Sequence, residues 1–306
     1  MNFQDLQYLL CIAKHQNLTK AAQELYISQP TLSKFLRKQE QELGGKLFSR
    51  SNNCYIPTYL GRCCLGYAKR AVALQQDWEK ELLDLHSCSE GELNIAFPLM
   101  RSSCMIPRIL PVFHKEYPGI HVNLFEETHA IQERLLTDDQ LDFAVFTESS
   151  PHPKLSYELL LKEEVLLCLP PGHPLASMGH PHPGKKYPSF DLSLMAEEPF
   201  ILHYPEQNTG QIARDLFKEY QIDPPVALLT RSTQTCALLS QEGLGSCFLP
   251  ETYVKNMIFR QPPLCFSVGE NGIFTTLMIA YRKNAYLASY AKDFIRIAQE
   301  TVQEED

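Results

Sequence analysis

Residues 17–33 read Asn17-Leu18-Thr19-Lys20-Ala21-Ala22-Gln23-Glu24-Leu25-Tyr26-Ile27-Ser28-Gln29-Pro30-Thr31-Leu32-Ser33. Lys20–Leu25 has the length of a short helix, and its paired alanines let a neighbouring helix approach closely. Tyr26-Ile27-Ser28 forms a turn. Ser28 is a good N-cap for a further helix reaching Leu43, and Pro30 fits its first turn because that N–H has no helical partner. Leu32, Phe35, Leu36 and Leu43 give this helix an inward face. Before the run, Phe3, Leu6, Leu9, Leu10 and Ala13 recur at helical spacing over residues 2–15. Two helices, a tight turn and a third helix describe a helix-turn-helix. The outward set is Gln29, Thr31, Ser33, Lys34, Arg37 and Lys38. Amides and hydroxyls reach base edges, while Lys and Arg reach phosphate or guanine. On that helix alone, a merely solvated face is an equal reading.

The next residues shift the balance. Leu47–Arg50 and Cys54–Ile56 read as short strands around the turn Ser51-Asn52-Asn53. Such a hairpin is a wing, with Arg50 near its start. Residues 58–86 lack proline. In them Leu60, Cys64, Tyr67, Ala71, Leu74, Trp78, Leu82 and Leu85 fall 4, 3, 4, 3, 4, 4 and 3 apart, a near-heptad seam. A helix of that length spans about 43 Å and must bury its stripe. Packing on its own body is one solution. The favoured one is a homodimer through residues 59–88, which implies two recognition helices and a partly palindromic operator.

The quoted run closely resembles the DNA-binding signature of LysR-type transcriptional regulators, as does Leu43-Gly44-Gly45-Lys46-Leu47-Phe48-Ser49-Arg50. Ala-Ala, Ser-Gln-Pro, Leu-Ser and Leu-Phe-x-Arg stand in the order and spacing of that family. Tyr59-Leu60-Gly61 departs from it, since the family usually has Thr, a small residue and Gly. The resemblance implies a winged helix-turn-helix over residues 1–58, mostly α. A linker helix over 59–88 follows, then a two-lobed α/β effector domain over 89–306 that is periplasmic-binding-protein-like. Lobe I is expected at about 89–163 and 267–306, lobe II at about 164–266. Promoter DNA would be met by Thr19, Ser28, Gln29, Pro30, Thr31, Ser33, Lys34, Arg37, Lys38 and Arg50. Tetramers are usual in the family, and an activator would also meet RNA polymerase.

The rest of the chain has the texture this requires. Strands at Glu92–Phe97, His121–Phe125 and Leu141–Phe146 alternate with helices at Ile106–Tyr117 and Ala130–Leu136. That alternation argues for βαβ units and a parallel sheet. Strands at Glu164–Leu169 and Phe200–Tyr204 and a helix at Gln211–Tyr220 follow. Next come Val226–Thr230, Cys236–Ser240 and Ser246–Leu249, a late strand at Thr276–Tyr281 and a closing helix at Ala285–Val302. Met178–Pro188 reads as a loop insertion. Family-like pieces include Pro107-Arg108-Ile109-Leu110-Pro111-Val112-Phe113, Leu141-Asp142-Phe143-Ala144-Val145, His173-Pro174-Leu175-Ala176 and Glu242-Gly243-Leu244-Gly245, so the resemblance covers nearly the whole chain.

Ligands of open α/β sheets sit beyond strand ends, at helix N-termini. Pro98–Ser103 is the first such point. The family often has Ser or Thr seven residues before the proline aligned with Pro107, and here that position is Met100. Ser102 and Ser103 serve instead or cap the helix, and Arg101 favours an anionic effector or faces solvent. Other strand ends supply Thr128, Thr147, His203, Gln207, Asn208, Ser232 and Thr233. The strand histidine is equally well read as a hydrogen-bonded core residue.

Composition sets the limits. A chain of 306 residues with 44% hydrophobic and 21% charged residues is globular and exceeds one domain. Residues 1–86 hold 11 Lys/Arg and 8 Asp/Glu, a net +3. The other 220 hold 17 and 28, a net −11. A basic head on an acidic body suits a polyanion partner. The first residues resemble no secretory signal and no apolar run spans a bilayer, so a cytoplasmic chain without membrane contact is expected. No G-x-S-x-G, P-loop, HExxH or Rossmann fingerprint occurs, so no enzyme and no cofactor are expected. His180-Pro181-His182-Pro183 offers two histidines, but on a Pro-rich loop these are expected to be solvated, without metal. The ten cysteines lack CxxC and are read as core or seam thiols. The alternatives are a thiol redox-responsive regulator using Cys63-Cys64 or Cys236/Cys247, and a small-molecule-binding interaction protein without a regulatory role.

Overall fold

The computed structural model describes residues 1–51, 54–85, 90–147 and 151–303. The turn expected at Asn52-Asn53, and Cys88, lie outside them. The chain divides into a head, up to Cys88 with the short stretch 284–289, and an effector-type unit.

In the head, α1 (Phe3–His15) starts with a capping box: Asn2 Oδ1 accepts from the Asp5 amide and Asp5 accepts from the Asn2 amide. It ends on Gln16 at φ 50°. Helix α2 (Leu18–Glu24) begins two residues earlier than its apolar pattern suggested, because Asn17 accepts from both Thr19 N and Lys20 N. Ala21 and Ala22 are buried, as their size allows. Helix α3 (Gln29–Glu42) is capped by Ser28, with Pro30 in its first turn. Leu32 and Leu36 join Leu9, Ile12, Leu18, Leu47 and Phe48 in one core. Leu43, expected inside, is exposed, because the helix stops there and the chain turns at Gly44. Strands β1 (Phe48–Ser51) and β2 (Cys54–Pro57) pair antiparallel as the wing.

Helix α4 (Tyr59–Leu85) leaves the wing through a tight junction. Thr58 Oγ1 donates to Lys46 O at 2.6 Å and accepts from Gly61 N at 3.0 Å. A Cβ at Gly61 would stand 1.9 Å from Leu47 O. The glycine is therefore required by close backbone approach, while Tyr59 beside it is exposed and Leu60 packs against the core of the head.

In the second unit the elements are β3 (Gly91–Phe97), α5 (Leu99–Glu116), β4 (Ile120–Glu126), α6 (His129–Thr137), β5 (Phe143–Thr147), β6 (Leu155–Leu169), β7 (Ser189–Phe190) and β8 (Phe200–His203). Then come α7 (Asn208–Glu219), β9 (Val226–Thr230), α8 (Thr233–Gln241), β10 (Cys247–Pro250), α9 (Glu251–Asn256), β11 (Leu264–Val268), β12 (Phe274–Arg282) and α10 (Ser289–Gln303). The expected parallel sheet is in fact mixed. Strand β3 is parallel to β4 and β5, but β12 runs antiparallel to β5 and β6. The late strands return through the sheet instead of adding βαβ units.

Strand β6 joins two lobes. Its first part, Leu155 to Glu164, pairs with β12, and Val165 to Leu169 pair with β10 and β11. One lobe packs Phe294 edge-on against Phe113 and tilted against Phe143. The other packs Phe200, Phe217 and Phe248. Helix α5 starts at Leu99, not Ile106, and Pro107 and Pro111 lie inside it on the exposed side. There water can take the carbonyls that the two rings deprive of partners. Strands β7 and β11 and helix α9 were not foreseen.

Candidate nucleic-acid interface and effector cleft

On the head, Thr19, Ser28, Gln29, Pro30, Thr31, Lys34, Arg37, Lys38 and Arg50 are exposed and Ser33 is half-buried. The geometry brings the α3 members onto one outer face. Lys38 shares its charge with Glu42 one turn on, at 3.7 Å. The Ser28 and Thr31 hydroxyls meet at 2.7 Å. What holds this helix against the wing is Glu40, which patterning did not single out. It is buried and accepts from Leu47 N at 2.9 Å, Phe48 N at 3.4 Å and Lys46 Nζ at 2.8 Å. A glutamate on the inner side of the helix, one turn beyond the buried Leu36, is the signal that could have revealed it.

Along α4, Tyr67, Leu74 and Trp78 are 70%, 70% and 58% exposed. Large apolar groups at heptad spacing, bare in one chain, form a ready contact stripe. The first two seam positions behave otherwise: Leu60 and Cys64 pack against the core of their own head.

In the second unit, Arg101 is 3% exposed. Its guanidinium pairs with the buried Glu163 carboxylate and lies 4.4 Å over the Tyr253 ring. Glu163 also accepts from Thr252 N at 2.9 Å. Helix α5 of one lobe is thereby fixed to the crossing strand β6 and to α9 of the other lobe. Arg101 does not face solvent, and its charge is neutralised inside the protein, so it no longer argues for an anion. Met100 is half-buried. Ser102 Oγ donates to Leu99 O at 2.7 Å and to the Glu126 carboxylate. Ser103 is exposed and folds its hydroxyl back on Leu99 O and Met100 O, both at 3.2 Å. Neither serine caps α5, whose N-cap is Pro98.

Thr128 precedes α6, exposed and without a side-chain cap, and Thr147 ends β5 half-buried. In the second lobe His203 closes β8 and is buried. Among the described residues its Nε2 has no hydrogen-bond partner, and burial lowers its pKa, so the ring is neutral at pH 7. Asn208 Oδ1, at the start of α7, accepts from Thr275 Oγ1 of β12 at 3.1 Å. Gln207 Nε2 donates to Arg231 O at 3.1 Å. Ser232 caps α8 through Thr235 N, and Thr233 behind it is buried. His180 bridges to Ser189, and His182 Nδ1 lies 2.9 Å from the Pro183 carbonyl.

A LysR substrate binding domain model matches residues 87–303, and a bacterial regulatory helix-turn-helix, lysR family, matches residues 3–62. The chain belongs to the LysR family. It is a DNA-binding transcriptional regulator with an effector-binding domain. An uncharacterized HTH-type transcriptional regulator of Bacillus subtilis, YcgK, is 26% identical over 99% of this chain and 96% of its own. A probable RuBisCO transcriptional regulator of Trieres chinensis is 32% identical over 56% of this chain and 57% of its own. Among solved structures, full-length OxyR from Pseudomonas aeruginosa has TM-score 0.68 at 20% identity, covering 99% of this chain and 95% of that one. CbnR complexed with its target DNA has TM-score 0.61 at 19% identity and covers both chains fully. At these identities the solved structures speak for the fold. Among the described residues, no helix is long and apolar enough to cross a membrane.

In this LysR-family chain the thiols are mostly internal. Cys11, Cys104, Cys168, Cys236 and Cys247 are buried, Cys54, Cys64 and Cys265 half-buried, and Cys63 exposed. Sequence reading missed their arrangement: Cys247, Cys168 and Cys265 stand level on β10, β6 and β11, with Cys168 and Cys265 Sγ 3.6 Å apart. Burial pushes the Cys168 thiol up, and for Cys236 a hydrogen bond with Cys247 and burial act the same way. Cys168 and Cys236, so held, are poor nucleophiles.

Proposed function

We propose that two copies of this chain dimerise along α4 and each lays α3 into the major groove of promoter DNA. On that helix Gln29, Thr31 and Ser33 read base edges, and Lys34, Arg37 and Lys38 meet phosphate or guanine. Thr19, Ser28, Pro30 and Arg50 approach the backbone around it. The observation that carries this reading is the exposed polar and basic face of α3, held rigidly by Glu40 against the wing. Lys34→Ala and Arg37→Ala should each weaken binding to duplex DNA in a salt titration by anisotropy. A lost phosphate contact lowers affinity alike on all sequences and flattens the salt slope by about one unit. A lost guanine contact costs about 1–3 kcal/mol at one base pair. Unchanged affinity in both variants removes α3 from the groove.

The second unit holds a small metabolite between its lobes, and closure of the lobes alters operator contact without a catalytic step. Residues with this role are Met100, Ser103, Thr128, Thr147, His203, Asn208, Ser232 and Thr233, while Arg101 and Ser102 hold the walls. The unpartnered, neutral Nε2 of His203 supports a hydrogen-bonding ligand, since leaving such a buried group unmet costs about 1–3 kcal/mol. An anion would be met by the helix N-termini instead of by Arg101. In a thermal-shift screen of metabolites, the compound that raises the wild-type melting temperature should bind Ser103→Ala and Thr233→Val about 10- to 150-fold more weakly. DNA affinity should be unchanged. Equal affinity in both variants moves the site elsewhere. A tetramer needs a second surface, and an apolar groove of about 460 Å³ lined by Ile106, Leu110, Pro111, Ile120 and Val122 offers one.

A further inference from the structure

The head carries a side-chain cluster that DNA recognition does not use. Cys11 and His15 stand four residues apart on one face of α1, and Glu24 is the last residue of α2. Cys11 Sγ, a His15 ring nitrogen and a Glu24 carboxylate oxygen all lie within 4.8 Å of one another. His15 Nε2 already contacts Glu24 Oε2. Cys11 is buried, whereas the His15 and Glu24 side chains are 25% and 43% exposed. The cluster is thus closed on the core side and open to solvent on the other.

We propose that Cys11, His15 and Glu24 form a binding site for a divalent transition ion of the zinc class. One sulfur, one imidazole nitrogen and one carboxylate oxygen are a donor set that zinc accepts, with water in the fourth position. Tetrahedral bonds of about 2.0–2.3 Å place such donors roughly 3.3–3.7 Å apart. The cluster therefore closes on an ion through small rotamer changes. Cys11 Sγ now donates to Ala21 O at 3.5 Å. On binding, the thiol proton leaves to solvent as the sulfur–metal bond forms. Lys14 Nζ, at 2.9 and 3.0 Å from the two Glu24 oxygens, is the cation that the ion displaces. Lys14 is 65% exposed on a flexible stem, so it swings away readily. The ion would pin α1 to α2 within the helix-turn-helix and stiffen the part of the head that presents α3.

The test uses the full chain, stripped with a chelator and titrated with Co²⁺ as a spectroscopic probe. The expected result is a thiolate-to-cobalt charge-transfer band that saturates at one ion per chain and is bleached by Zn²⁺. The band should vanish in Cys11→Ser and in His15→Ala and persist in Cys63→Ser. Zn²⁺ at a hundred times its Kd should favour the folded head about 100-fold, raising its melting transition. A folded wild-type chain without the band, or a band that survives either substitution, overturns the proposal.

Discussion

Arg101→Ala should destabilise the effector-binding unit by about 3–5 kcal/mol, because it strands the Glu163 carboxylate in a dry setting. Thr252 N still donates to Glu163, but one neutral donor does not offset a buried charge. Calorimetry should show the transition of this unit falling while that of the head stays in place. Removing both charges together, as Arg101→Met with Glu163→Met, should recover most of the loss, since a buried pair and an apolar pair of similar volume are often equivalent. The double variant should nevertheless respond poorly to effector. In the native chain the pair and the Tyr253 ring define how α5 meets α9. A full-strength Arg101→Ala unit would mean that Glu163 reaches water.

Leu74→Asp should convert the dimer to a monomer. Leu74 lies 70% exposed between the exposed Tyr67 and Trp78, and two-fold symmetry places the new carboxylate in the seam twice. Burying unpaired carboxylates there costs several kcal/mol. Sedimentation should report the single-chain mass. Operator affinity should fall by about 10²- to 10⁴-fold, because two linked heads no longer share one DNA. The head itself should melt as before, since Leu74 lies outside its core. A variant that keeps full size places the interface elsewhere.

The head was legible because its signals are local. Asn17 and Ser28 are caps beside the residues they cap, and Gln16 and Tyr26 turn the chain at positive φ within three residues of a helix end. The body was less legible. Strand β6 hides its first part behind Glu158, Lys162, Glu163 and Glu164, charges that no half-buried strand pattern anticipates. Glu163 is tolerable there only because Arg101, distant in sequence, comes to meet it. Helix α5 runs seven residues further toward its N-terminus than the expected Ile106 start, through Pro107 and Pro111, which it tolerates because both lie on its wet side. The level thiols of β6, β10 and β11 depend on antiparallel register, which arises only when strands far apart in the chain pair. The candidate ligand contacts named from strand ends have different surroundings for the same reason. Thr233 and His203 are buried at helix and strand ends, while Arg101 and Ser102 are taken up by Glu163 and Glu126.

The central claim is that paired α3 helices on a symmetric dimer select promoter DNA. It is tested most directly by selection of the full-length chain on a random duplex library, followed by sequencing of the bound DNA. The account predicts enrichment of a partly palindromic motif whose half-sites are centred one helical turn, about 10 base pairs, or a multiple of it apart. Arg37→Ala should relax or abolish that motif. Bound DNA without any enriched sequence, or a single motif without a repeat, would contradict it.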